Sequence, residues 1–409
     1  MTDHLSFLSA PGMAAGFIAE TRPRAHGAGI DLHEYERVTA SLESLLQWPD
    51  VCRATALRHR AAAEQAVERG RTRTAGERHR LAARWFHLAA LIPDPDRVRA
   101  EDNERESDRS MELSLALLEP RARRLSGDGF TGWLRTPADV IASTGSDTDV
   151  DVIADAGSGA SGGSGVGADL GVGAGSGADL GAGVRSDATG KRFPVVLVIP
   201  GMDSAKEEFH ALADALLARG LAVLAIDGPG QGVLATRTVL NAEDHRRAAA
   251  RALDALAEAT DEWELDLDLG RIAVVGLSLG GHLAAAVAAH DPRVRAAALV
   301  SGPYRLEWDA LVPFVTATLG QRCGSPDAAR DFADSLDLAA LAPRLRGPLL
   351  LVEGGEDRIP GVTNAEALAA DLPHAEVLHV PHGNHLLGNA QADWLPDTAD
   401  WLADALRAA

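Results

Sequence analysis

The 409-residue sequence holds only two cysteines, Cys52 and Cys323, far apart and outside any C-x-x-C pattern. That spacing excludes a disulfide framework and a cysteine zinc site, and both read as ordinary thiols. No apolar run reaches the roughly 18 residues that a membrane helix needs. Ahead of its first apolar residues the N-terminus carries Asp3 and no basic cluster, so Met1 to Glu20 does not read as a secretory leader. A cytoplasmic protein is expected, with no membrane partner. Basic residues number 39 against 59 acidic ones, a formal net charge of −20, and no basic stripe stands out. Nucleic acid is therefore not expected as a partner. An acidic surface serves solubility and names no substrate. Aromatics are scarce at 4%, beside abundant Ala, Gly and Arg, a bias without chemical content.

What is present suits a globular enzyme. Hydrophobic residues make up 46% of a chain long enough for one large α/β domain and a second, smaller one. Residues 1–30 lack periodicity and read as a loosely ordered arm with at most a short helix. Residues 31–119 read as helical. Asp31-Leu32-His33-Glu34 opens a first helix that Trp48-Pro49 breaks; Val51 to Arg69, Ala75 to Leu91 and Asp96 to Leu118 follow. This segment is too short for a separate enzyme domain and is expected to serve as a lid over a cleft and as a dimer surface. Residues 120–142 hold a hairpin, Ala122 to Leu125 and Phe130 to Leu134, turning at Gly127-Asp128-Gly129.

Residues 143–190 are rich in Gly, Ala, Ser and Asp, with Gly-Ala-Asp-Leu-Gly at 167–171 and again at 177–181. They read as a flexible insert. A calcium-binding β-roll is the rival, but Asp169 and Asp179 break its nine-residue phase. No metal is expected. In 191–409, strands at 193–199, 221–226, 272–275, 296–300, 348–352 and 376–380 alternate with helices, which predicts a mostly parallel sheet with helices on both faces. Active groups in such sheets gather at the carboxyl ends of the strands.

The chemistry centres on Gly276-Leu277-Ser278-Leu279-Gly280-Gly281, between the apolar run Ile272 to Val275 and an Ala-rich helical stretch. G-x-S-x-G between strand and helix is the pattern of a nucleophile elbow, whose tight turn lifts the serine above the sheet. It also puts the Leu279 N–H at a helix start, facing a developing oxyanion. An acyl-transfer serine needs a base, and the base an orienter. Asp357 follows Gly354-Gly355-Glu356 after a strand, with Glu356 the competing carboxylate. The base is His385 or His382, in Val380-Pro381-His382-Gly383-Asn384-His385; His385 is favoured because it lies deeper in the loop. After the first parallel strand, Gly201-Met202 offers the Met202 N–H as second oxyanion donor.

Three stretches carry a resemblance: Pro200-Gly201-Met202-Asp203-Ser204-Ala205-Lys206-Glu207-Glu208, Ile226-Asp227-Gly228-Pro229-Gly230-Gln231-Gly232, and the elbow. Together they are similar to the α/β-hydrolases with an N-terminal helical domain. That group includes 2,6-dihydroxypseudooxynicotine hydrolase, the fermentation–respiration-switch esterase and fungal hydrolases that modify polyketides in pigment pathways. The resemblance covers roughly residues 80–409. It implies the α/β-hydrolase fold with a helical lid, a Ser–Asp–His triad, frequently a dimer, and no metal or organic cofactor. Gly383-Asn384-His385 fits the group's histidine loop; the insert at 143–190 departs from its pattern.

Some members of the group cleave esters, others a carbon–carbon bond beside a ketone. The second reaction must protonate a leaving carbon, so Tyr304, Glu307 and Asp309, after the strand at 296–300, are candidate pocket residues; they read equally as ordinary polar surface. The expected protein is a serine hydrolase of a small ester, lactone or aryl ketone, with C–O and C–C cleavage both open. A catalytically idle binding protein would have no need of all three triad residues. A prolyl-oligopeptidase-type peptidase would carry a β-propeller, and a haloalkane dehalogenase an Asp in place of Ser278.

Overall fold

The computed structural model describes residues 3–137 and 192–408. The stretch read as an insert at 143–190, with its rejected calcium reading, lies outside the described residues.

Five helices build the N-terminal domain: α1 (Met13–Gly27), α2 (Leu32–Thr39), α3 (Trp48–Glu68), α4 (Thr72–Ala89) and α5 (Arg97–Leu118). Their starts follow local chemistry. The Asp31 carboxylate accepts from the Glu34 N–H, and Asp96 accepts from Val98 and Arg99, satisfying first-turn donors that have no partner inside the helix. Pro49 does not break a helix. The preceding helix has already ended at Thr39, and Pro49 sits in the first turn of α3, where its missing N–H costs nothing. The core of this domain is aromatic. Tyr35, Trp48, Trp85 and Phe86 are buried, and Phe17 meets Trp48 edge-on at 5.0 Å.

Residues 3–30 differ from the loose arm expected of them. They hold α1, with Leu5, Leu8, Ala25 and Ile30 buried in the aromatic core. The reason is tertiary. The helix has almost no amphipathic pattern of its own, and its neighbours stabilise it.

The hairpin β1 (Arg123–Gly127) and β2 (Phe130–Arg135) enters an eight-stranded sheet. The others are β3 (Phe193–Ile199), β4 (Ala222–Asp227), β5 (Leu267–Leu277), β6 (Val294–Val300), β8 (Leu349–Gly354) and β10 (Glu376–Val380). The order is β1-β2-β4-β3-β5-β6-β8-β10, antiparallel at β1/β2/β4 and parallel beyond. The central strands are apolar runs because both faces are covered. Val195, Leu197 and Ile199 pack with α7 (Ala242–Glu262) and α8 (Leu279–His290). Val196 and Val198 point the other way, to α6 (His210–Leu217) and the C-terminal helix (Gln391–Ala408). A short ribbon, β7 (Pro303–Leu306) with β9 (Val362–Asn364), and helices α9 (Pro313–Cys323) and α10 (Pro326–Asp334) follow β6.

The helical domain lies against loops at the carboxyl ends of the strands. Phe17 of α1 meets Phe314 of α9 at 5.3 Å, and Gln321 Nε2 donates to the Asp94 carbonyl. Buried ions join the two parts as well: Lys206 with Asp108, and Arg322 with Glu104. No described helix is long and apolar enough to cross a membrane.

Candidate active site

β5 ends at Leu277 and α8 begins at Leu279, so Ser278 alone makes the turn. It adopts φ 55° and ψ −130°, a conformation costly for a residue with a side chain. The flanking glycines are steric necessities. A Cβ on Gly276 would lie 1.9 Å from the Gly280 carbonyl oxygen, and one on Gly280 would lie 2.3 Å from that of Ile199. The Ser278 N–H donates to the Val300 carbonyl at 2.8 Å, pinning the turn to β6.

Three side chains meet there. His385 Nε2 lies 2.9 Å from Ser278 Oγ, and His385 Nδ1 lies 2.9 Å from Asp357 Oδ2. Sequence separations of 107 and 28 residues are thereby closed into one hydrogen-bonded chain. The Asp357 side chain is buried, at 1% exposure, whereas the His385 side chain is 32% exposed. The rivals lie elsewhere. Glu356 is exposed, and His382 points outward at 61% exposure, bonded to Asp393. A strained turn holds His385. Leu386 and Leu387 both have positive φ, and the Leu386 N–H donates to the buried Ser301 Oγ at 3.1 Å.

The loop after β3 runs directly beside the serine. A Cβ on Gly201 would sit 3.1 Å from Ser278 Cβ, so the Gly201-Met202 peptide borders Ser278. Leu279 is the first residue of α8, where backbone N–H groups have no helical partner.

Buried polar groups that sequence reasoning did not single out fix this loop from below. Gln231 is fully buried; its Nε2 donates to the Pro200 carbonyl at 2.5 Å and the Gly201 carbonyl at 3.0 Å. Its Oε1 accepts from the Gly228 N–H at 3.1 Å and faces His245 Nε2 at 2.9 Å. Asp227 accepts from the Lys206 N–H, Lys206 Nζ and the Val233 N–H. Burial pulls the Lys206 ammonium down, but Asp227, Glu207 and Asp108 outweigh it and hold the group charged. Burial pushes the Glu207 carboxyl up to about 7 against the pull of Lys206. The one available signal was charge near buried strands, with Asp227 ending β4 and Lys206-Glu207-Glu208 in the loop after β3.

The candidate pocket residues are not gathered with the triad. Tyr304 donates its hydroxyl to Asp371, Asp309 pairs with Arg330 on α10 at 83% exposure, and Glu307 is exposed. They lie on and just after β7, where the polar groups face solvent and one another. Among the described residues no cluster of three or more His, Cys, Asp or Glu is arranged to hold a metal.

Comparison with known proteins agrees with this architecture. The family model described as serine aminopeptidase, S33, matches residues 190–325. Over 94% of its length the chain superposes on the crystal structure of 2,6-dihydroxy-pseudo-oxynicotine hydrolase, covering 96% of that protein at a TM-score of 0.71 and 21% identity. The chain has the α/β-hydrolase fold. A second structure of this fold, AbyA5 in its wild-type form, is matched with a TM-score of 0.58 at 17% identity, covering 92% of the chain and 94% of AbyA5. Sequence relatives include the alpha/beta hydrolase psoB of Aspergillus fumigatus, 41% identical over 120 residues. The 20-hydroxy-prefusarin hydrolase FUS2 of Gibberella moniliformis is 42% identical over 118 residues. These matches cover 29% and 28% of the chain, and each spans about a quarter of the relative's own length, 27% in both cases.

Proposed function

We propose that this protein of α/β-hydrolase fold is a serine hydrolase acting on a carbonyl compound: an ester, a lactone, or an aryl or polyketide ketone. Ser278 Oγ attacks the carbonyl carbon while its proton passes to His385 Nε2. Asp357 holds the imidazole in the tautomer that accepts at Nε2 and stabilises the imidazolium. The Met202 and Leu279 amides hold the oxyanion. When the tetrahedral intermediate collapses, the bond to the leaving group breaks and that group takes the proton from His385. Water, deprotonated by the same imidazole, then releases the acid from Ser278. The helical domain serves as a lid over the cleft.

The observation that carries the reading is the pair of 2.9 Å hydrogen bonds from Ser278 through His385 to Asp357. A histidine that accepts from a serine on a strained elbow, and is oriented by a buried carboxylate, has little structural purpose there. The substrate class is open between two leaving groups. An ester releases an alkoxide that one proton completes, whereas an aryl ketone releases a carbon that must be protonated as its bond breaks.

The test is a matched pair of substrates, an aryl ester and an acylphenol, given to wild type and to Ser278→Ala. Turnover of either by wild type, lost by several orders of magnitude in the variant, supports the reading, and the better substrate names the bond cleaved. Equal turnover by both proteins would sink it.

A further inference from the structure

The loop that borders Ser278 is also held by the N-terminal helix α1. Arg24, on α1, is 15% exposed and spends its donors on that loop. Nε and Nη2 grip Glu208 Oε1 and Oε2 at 2.5 and 2.8 Å, Nη1 donates to Asp203 Oδ2 at 2.8 Å, and Nη2 reaches Ser204 Oγ at 3.0 Å. His87 Nε2, from α4, approaches Glu208 Oε2 at 3.0 Å. All three Arg24 partners lie within six residues of Met202. The same helix touches the histidine loop. A Cβ on Gly388 would lie 2.5 Å from the Pro23 carbonyl oxygen, and Gln391 Nε2 donates to the Gly27 carbonyl at 3.1 Å. One helix therefore rests on both the segment beside the nucleophile and the segment that follows its base.

We propose that Arg24 is a positioning residue: by fixing Asp203, Ser204 and Glu208 it sets where the Met202 amide points, making the N-terminal helix part of the catalytic apparatus. The inference rests on the serine-hydrolase reading. An oxyanion donor contributes fully only when it is aimed before the charge develops, so a loop free to shift loses much of its effect. The grip needs arginine. A planar fork spans both oxygens of Glu208 and still reaches Asp203, whereas an ammonium acts as a point charge. Removing the guanidinium leaves two buried carboxylates with His87 as the remaining partner of Glu208, and the loop must shift to hydrate them. Were Arg24 merely an interdomain tie, its loss would lower the melting temperature and leave the chemical step alone.

The experiment uses the full chain as wild type, Arg24→Lys, Arg24→Gln, Asp203→Asn and Ser278→Ala. It measures inactivation by a small fluorophosphonate, resolved into the maximal rate and the half-saturating concentration, well below each melting midpoint. Losing an oxyanion donor outright costs roughly 100- to 1000-fold. Displacing one is expected to slow the maximal rate of Arg24→Gln by about 10- to 100-fold, with the half-saturating concentration within about threefold. Arg24→Lys should fall between Arg24→Gln and wild type, and Asp203→Asn should lose less than Arg24→Gln. A folded Arg24→Gln protein that reacts within twofold of wild type overturns the proposal, as does a deficit lying wholly in the half-saturating concentration. If Arg24→Gln does not fold, wild-type maximal rates for both Arg24→Lys and Asp203→Asn overturn it instead. A wild-type protein that takes no label at Ser278 sinks the hydrolase reading itself, whereas labelled wild type with equally fast variants sinks only the role of Arg24.

Discussion

Replacing Gln231 with alanine removes one side chain and leaves four buried groups without it. The Pro200 and Gly201 carbonyls lose their shared donor, the Gly228 N–H loses its acceptor, and His245 Nε2 loses its partner. Each orphaned buried group costs about 1–3 kcal/mol, so even the lower end sums to about 4 kcal/mol. A typical domain has only about 5–15 kcal/mol to lose. The site should suffer as well, because the two freed carbonyls belong to the peptides that lead into Met202. Urea unfolding followed by tryptophan fluorescence reads the first effect, and the rate of Ser278 phosphonylation reads the second. The expected result is a markedly lower urea midpoint together with labelling slowed at least tenfold. Gln231→Glu should do no better, since a carboxylate cannot donate to either carbonyl. An alanine variant with wild-type stability and wild-type labelling would refute the reasoning, because buried groups cannot lose their partners without consequence.

His385→Ala should abolish turnover while His382→Ala, whose ring points outward to Asp393, keeps most of it; steady-state kinetics on the two variants decide, and the reverse order would contradict the assignment. Gly276→Ala should either fail to give soluble protein or give folded protein with an unreactive Ser278, because its Cβ would overlap the Gly280 carbonyl; circular dichroism with a labelling assay separates these, and wild-type reactivity would be the contrary result. Burial, then the charges of Asp357 and Glu366, push the Glu353 carboxyl up to about 9, whereas an unfolded glutamate titrates near roughly 4.3. Between those values the folded protein keeps a proton the unfolded chain has released, so stability from this group is complete below the lower value and is lost as pH rises through the upper one. Glu353→Gln should therefore gain more in urea midpoint at pH 8 than at pH 5; an equal shift at both would show that Glu353 ionises normally.

The parts of the fold written in short sequence windows were legible. The apolar strands, the glycines of the elbow and the Asp227-Gly228-Pro229 turn are local solutions to local sterics, and parallel-sheet topology sends their ends to one edge. Ser278, Asp357 and His385 could be singled out for that reason, and the structure joins them by hydrogen bonds. Arg24 was not legible. Its partners lie 179–184 residues away, and α1 shows no periodicity to announce a helix. Gln231 was visible as a motif residue, but its grip on two carbonyls appears only once β3 and β4 stand side by side. Glu353 was hidden inside an apolar strand. Helices α9 and α10 had usable marks, Pro313 and Pro326 in their first turns with Ser325 as a cap, but no helix was read between the strands at 296–300 and 348–352.

The most direct test of the central claim is the intact mass of the full chain after exposure to a small fluorophosphonate, with the modified peptide mapped and Ser278→Ala run beside wild type. One adduct per chain, located on Ser278 and absent from the variant, is the predicted result. A well-folded wild type that takes no adduct, or takes it at another serine, would contradict the claim that Ser278 is the activated nucleophile.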